Sequence, residues 1–377
     1  MDVRSAIFQA AALTLSGLVL LALSPASAAA AESTSYELPD ATHAGPLAIA
    51  RDGTAWFVPS RGSDWDGRDY AIVGNVAADG TVSERRVAGF SIVSGIAASP
   101  GGAIWVSGFR GSYEHKLFQI GRLSSAGELL RRYPVGRGQG SIRSMSVSAG
   151  AVWLIRQGFS PRRFFTRIER IAIASGKLRH FSLPPDCHAS ALAVAPDGTP
   201  WFLQKCGGFR GEGTASRTSI IRIEAGGKLV RRRIAPQDYP VALAVGQDGT
   251  VWFGSWRYYQ PSRIGRLTPT GKLAEFPIPK GSPYSIAVGS EGRLWFASSL
   301  RGYFRGVTSI GTGGQLGDPV CADPTCTLEP NDLTRGPDGT IWYGLRAPNY
   351  NTGGGSSGIF IEEQIGNEAG FLGRLGR

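Results

Sequence analysis

The chain is poor in histidine and cysteine, with four of each in 377 residues, so imidazole and thiolate chemistry have few places to start. No Ser-His-Asp arrangement can be assigned from the linear order, and no phosphate-cradling glycine loop precedes a helix. Acidic residues are short as well, 29 against 40 Lys and Arg, giving a net charge of +11. Asp2 and Arg4 cancel, so the excess lies beyond the first segment. That balance favours anionic partners such as acidic glycans, cell-wall polymers or phosphate, or serves solubility alone. No specific nucleic-acid partner is expected. Long apolar runs are confined to the amino end. There, Arg4 precedes an apolar stretch from Ala6 to Leu23, followed by Ser24-Pro25-Ala26-Ser27 and four alanines. This pattern reads as a signal peptide over residues 1–31, which places the protein outside the cytoplasm, secreted or periplasmic, with no membrane span after cleavage. An even number of cysteines suits an oxidising compartment.

Against these absences one pattern recurs. Asp-Gly-Thr-x-Trp-Phe, or a close variant, returns seven times, with Trp56, Trp105, Trp153, Trp201, Trp252, Trp295 and Trp342 spaced 43 to 51 residues apart. A fixed period of that length marks a repeat fold whose unit cannot bury its apolar face alone. The fifth copy shows the unit most clearly. Val241–Val245 and Val251–Gly254 flank Asp248-Gly249, a hairpin signal because the turn needs positive φ. A second hairpin follows, Arg263–Leu267 and Leu273–Ile278 around Gly271. Four short antiparallel strands per repeat make a propeller blade, and the absence of i, i+3, i+4 apolar spacing excludes helical solenoids.

The expectation is therefore an all-β, seven-bladed propeller over residues 32–377, as one domain and a monomer. The last copy ends at Phe371–Leu375 without a fourth strand, while Ser35–Pro39 resembles a fourth strand. The amino-terminal strand should then join the last blade and close the ring, leaving no free sheet edge. Tryptophans at a fixed repeat position read as packing between blades. Cys187 and Cys206 bracket a predicted hairpin and should pair; Cys321 and Cys326 bracket a turn and should close a small loop. A four-thiolate metal site is the alternative.

The Asp-Gly-x-x-Trp-Phe motif together with Ile264-Gly265-Arg266-Leu267-Thr268-Pro269-Thr270-Gly271-Lys272-Leu273 and Glu275-Phe276-Pro277-Ile278-Pro279 resembles the streptogramin B lyase (virginiamycin B lyase) family across the whole mature chain. The resemblance implies a seven-bladed propeller that opens a cyclic depsipeptide by elimination, using magnesium and a histidine base. In that family a Glu-Pro-His-Gly segment opens the last blade, a second Glu lies four positions after its Trp, and another His opens the preceding blade. Here those positions hold Glu329-Pro330-Asn331-Asp332, Arg346 and Tyr284. An amide cannot take a proton as imidazole does, and an arginine repels Mg²⁺. The family's chemistry is therefore expected to be lost, with no cofactor and no metal, unless Asp332 serves as a displaced base or ligand and Mg²⁺ is retained.

The loops between the second and third strands each carry an aromatic near an arginine. Examples are Trp256-Arg257-Tyr258 and Arg301-Gly302-Tyr303. Arginine presents a planar fork to carboxylate, sulfate or phosphate, and aromatics stack on rings. The bland alternative is internal cation–π stiffening. Aligning the copies places Gly45, Ser94, Arg143, Ser190, Val241, Tyr284 and Asn331 at the mouth of the innermost strands. Candidate ligand contacts are Arg143, Tyr284, Glu329, Asn331, Asp332, Arg346, Trp256, Arg257, Tyr258 and Arg301. The expected partner is a small molecule or glycan, anionic or ring-bearing. Two other functions stay open: a carbon–oxygen lyase acting on a cyclic ester or uronic-acid substrate, and a protein-interaction scaffold. His43 and His188, at one repeat position, read as loop histidines.

Overall fold

The computed structural model describes residues 33–38, 43–60, 69–112, 114–160, 163–207, 216–234, 239–256, 261–278, 283–289, 292–300, 304–321, 329–346 and 370–375. Its first strand is β1 (Ser33–Leu38). Each motif copy then contributes consecutive antiparallel strands. The first copy supplies β2 (His43–Ile49), β3 (Ala55–Ser60), β4 (Tyr70–Val76) and β5 (Val82–Ala88). The second supplies β6 (Ile92–Ala98), β7 (Ile104–Arg110), β8 (Leu117–Leu123) and β9 (Leu129–Arg137). The third supplies β10 (Gln139–Val147), β11 (Ala151–Ser160), β12 (Arg163–Ala172) and β13 (Leu178–Ser182). Next come β14 (Cys187–Val194), β15 (Pro200–Cys206), β16 (Arg217–Ile223) and β17 (Leu229–Arg233). The fifth copy forms β18 (Tyr239–Val245), β19 (Val251–Trp256), β20 (Ser262–Leu267) and β21 (Leu273–Ile278). The sixth forms β22 (Ile286–Val288), β23 (Leu294–Leu300), β24 (Phe304–Ile310) and β25 (Val320–Cys321). The last comprises β26 (Glu329–Arg335), β27 (Ile341–Arg346) and β28 (Gly370–Leu375).

The hairpin turns repeat at atomic detail. In the first copy Gly53 adopts φ 87°, which a Cβ would strain, and its N–H donates to the Ala50 carbonyl at 3.1 Å. The aspartate before it accepts the N–H of the threonine after it, Asp52 from Thr54 at 2.9 Å. The same bond recurs at Asp197–Thr199, Asp248–Thr250 and Asp338–Thr340. The carboxylate thus replaces a missing backbone acceptor, which is why Asp-Gly-Thr marks these turns.

Among the described residues strand pairing yields six sheets: five of four strands and one of eight. In the eight-stranded sheet, β1 pairs with β28 from Ser33↔Leu375 to Leu38↔Gly370, so the amino and carboxyl ends of the propeller share a ladder. That sheet also joins the first and last motif copies, because His43 on β2 pairs with Arg346 on β27. The structure therefore corrects the expected seven separate blades to six, five of them four-stranded and the sixth eight-stranded. A single backbone pairing between the amino end of β2 and the carboxyl end of β27 accounts for the difference.

The motif tryptophans fill the seams between successive motif copies. Trp56 packs with Val87, Phe90 and Ile104. Trp105 meets Tyr133 and Val152, and Trp252 meets Ile278 and Phe296. Trp342 packs on Leu47, Phe57 and Val76, between the last and first copies. Burial of one such indole is worth about 2–3 kcal/mol, consistent with a packing role. Cys187 and Cys206 are register partners at the ends of β14 and β15 and form a disulfide. Cys321 is disulfide-bonded; Cys326 lies outside the described residues. The disulfide fits an oxidising compartment. Among the described residues no helix is long and apolar enough to cross a membrane.

Candidate functional site at the channel mouth

The innermost strands of the propeller carry a repeated irregularity. The antiparallel register slips between Val93 and Gly95, between Ile142 and Ser144, between Pro240 and Ala242, and between Pro330 and Asp332. It slips again between Ala44 and Leu47 and between Ala189 and Leu192. Each slip is a β-bulge that leaves one or two residues unpaired and re-aims a side chain. The bulged positions include Gly45, Ser94, Arg143, Ser190, Val241 and Asn331, the positions that sequence alignment places at the mouth. The bulge also explains why Arg143 belongs with them although its turn is one residue shorter.

A cavity of about 720 Å³ opens here, lined by Gly45, Ser94, Arg143, Ser190, Val241 and Tyr284 among others. Arg143 is exposed, and its Nε donates to Gln157 Oε1 at 3.1 Å. Gln157 in turn donates to the Ala189 carbonyl at 3.1 Å, which ties the guanidinium to the neighbouring sheet. The Tyr284 hydroxyl donates to the Pro330 carbonyl.

Among the described residues Asp332 is the one carboxylate lining this cavity. Its Oδ2 accepts the Leu47 N–H at 2.8 Å and its Oδ1 accepts the Ser285 hydroxyl at 3.3 Å. Ser285 Oγ accepts the Leu333 N–H at 2.8 Å. Desolvation pushes the Asp332 pKa up to about 6, against the opposing pull of those donors. The residue thus joins β2, β26 and the segment before β22. Sequence reading singled out Asp332 but missed Ser285, whose only signal is its place one residue after Tyr284.

The other candidates divide. Glu329 and Arg346 are backbone partners at the same end of β26 and β27, and Asn331 is the unpaired residue of the slip between Pro330 and Asp332; their side chains lie outside the described residues. Arg257, Tyr258 and Arg301 also lie outside them. Trp256 does not line the cavity. Its ring lies 5.6 Å from that of Tyr239, and Lys205 Nζ lies 3.1 Å from the Tyr239 centroid. On the neighbouring sheets Phe164 meets the edge of Phe159 at 5.4 Å and lies tilted against His188 at 4.8 Å. Burial holds the His188 pKa below its usual value, with Asp186 opposing. This part of the rim shows the cation–π and ring packing of the bland alternative.

Magnesium is the cofactor that the lyase resemblance would bring. Among the described residues no group of three or more His, Cys, Asp and Glu could hold a metal ion. Asp332, the carboxylate at the mouth, already accepts two hydrogen bonds within the fold. The described residues therefore do not fit Mg²⁺, and no step is derived through it.

Neither a protein-family model nor a curated protein matches the sequence. Solved structures do. Hydrazine synthase from Kuenenia stuttgartiensis is 17% identical, with 81% of this chain and 92% of that chain covered and a TM-score of 0.59. The β-propeller domain of the Trilobed protease from Pyrococcus furiosus, which has an open velcro topology, is 10% identical, with 83% and 90% covered and a TM-score of 0.56. At such identities the likeness shows the fold alone: this chain is an all-β propeller.

Proposed function

We propose that the chain is an exported, monomeric propeller whose channel mouth binds a small anionic or ring-bearing ligand, a small molecule or glycan. The observation that carries this reading is the convergence of the bulged residues on one concave cavity with Arg143 exposed at its wall. Its volume lies in the range of ligand sites, roughly 300–1,000 Å³. The guanidinium offers a fork for an oxyanion, and Tyr284 offers a ring face. The signal-peptide pattern supports export, and the surplus of basic residues supports an anionic partner. An array of glycans and small acids should return anionic hits. Arg143→Ala should weaken their binding about 10–100-fold, the value of a hydrogen bond to a charged group. Unchanged affinity moves the site away from the mouth.

A second reading follows the resemblance to streptogramin B lyases. Asp332, with a pKa raised to about 6, is poised as a general base near neutral pH. It could remove a proton alpha to the carbonyl of a cyclic ester or uronic acid as the carbon–oxygen bond breaks. An elimination product that disappears in Asp332→Asn supports this reading, and its absence from the wild-type protein rejects it.

A further inference from the structure

The mouth continues into a second cavity of about 1,000 Å³ that opens toward the Asp-Gly turns. The two share Ile49, Ala98, Val147, Leu243, Ile286, Leu333 and Arg335, among others, so they are the two halves of one channel. At its waist the residue paired with the position before each motif tryptophan comes round as a ring. That residue is Ile49, Ala98, Val147, Val194, Val245 or Val288 in six copies, and Arg335 in the last. All seven line the channel. Six aliphatic side chains and one guanidinium at equivalent positions break a repeat that is otherwise apolar here. Such local departures from a fold's own pattern are expected where a chain does something besides fold.

The guanidinium has nothing to hold. Arg335 Nε is buried without a hydrogen-bond partner. Other arginines with an unsatisfied buried Nε use their remaining nitrogens: Arg156 on Glu169 and the Arg137 carbonyl, Arg222 on Glu224, Arg266 on the Thr312 carbonyl. Among the described residues no acceptor reaches any nitrogen of Arg335. Arg335 is half-buried with its Nε desolvated, so it faces an aliphatic ring with no counter-charge in reach, and a bound anion would supply what is missing.

We propose that the channel waist is a binding site for a small carboxylate carried on an apolar body, with Arg335 gripping the carboxylate and the aliphatic ring enclosing the body. The planar fork matches two carboxylate oxygens, and the ring of Ile49, Ala98, Val147, Val194, Val245 and Val288 at its level favours hydrocarbon. This site lies below the mouth, whose cavity Arg335 also lines, and does not depend on the ligand read at Arg143.

Hexanoate and 1-hexanol, equal in chain length and different in charge, serve as probes by calorimetry and saturation-transfer NMR on the intact protein. The wild-type protein should bind hexanoate about 10–100-fold more tightly than 1-hexanol. Arg335→Met should erase that preference, while Arg143→Ala should leave it intact, which separates failure here from failure at the mouth. Arg335→Gln, which keeps a donor and most of the volume, replaces Arg335→Met if the latter does not fold. The proposal is overturned if wild-type protein binds no hexanoate, if it does not prefer hexanoate to 1-hexanol, or if the preference survives the loss of Arg335.

Discussion

Asp332 shows how a single side chain can serve the fold and shape the site. Its carboxyl ties β2 to β26 through the Leu47 N–H and reaches Ser285 on the third side. Because its pKa rises from the usual 3.8 to about 6, the folded protein holds this proton more tightly than the unfolded chain. The associated stabilisation is fully present below about pH 4 and is lost as pH rises to about 6, for a total of about 3 kcal/mol. Asp332→Asn should remove that dependence. In urea titrations at several pH values, the stability of the variant relative to wild type should climb between about pH 4 and pH 7. Parallel stability curves would contradict the raised pKa. The slope carries the test, since the amide changes the bond to Ser285 by an amount that does not vary with pH. Sequence reading reached Asp332 only as a neighbour of a replaced histidine; its burial depends on β2, 285 residues away along the chain.

The strands and turns were the most legible elements. Asp-Gly-Thr turns follow from local chemistry, a carboxylate capping an N–H and a glycine at positive φ, so a few adjacent residues suffice to read them. Bulges were legible only indirectly. Arg143 aligns with the other mouth residues because it occupies the bulge between Ile142 and Ser144, although its hairpin has one residue fewer. Arg335 shows the limit: its repeat position was readable, but its significance needs the ring of aliphatic partners that only pairing reveals. The disulfide also belongs to this scale, since antiparallel pairing of β14 with β15 puts Cys187 opposite Cys206. With the two cysteines 19 positions apart in sequence, Cys187→Ser should cost about 3 kcal/mol, read as a lower urea midpoint without loss of folding. An unchanged midpoint under non-reducing conditions would deny the bridge a stabilising role.

For the molecule as a whole, periodicity announced a propeller, and each motif tryptophan takes its place in a seam. The number of sheets was not legible. Seven motif copies became six sheets because His43 and Arg346 pair across the join of first and last copies, a contact no local pattern encodes. The β1–β28 ladder at that join covers an edge that would otherwise invite pairing with another chain. The candidate site was legible where it depends on the repeat, as at Gly45, Ser94 and Arg143, and not where it depends on the channel beneath. A crystal structure of the protein soaked with the tightest anionic hit from the array tests the account most directly. Density inside the bulge-lined mouth, with its oxyanion against Arg143 and its body beside Tyr284, is the predicted result. Density confined to the outer loops, with the mouth clear, would contradict it.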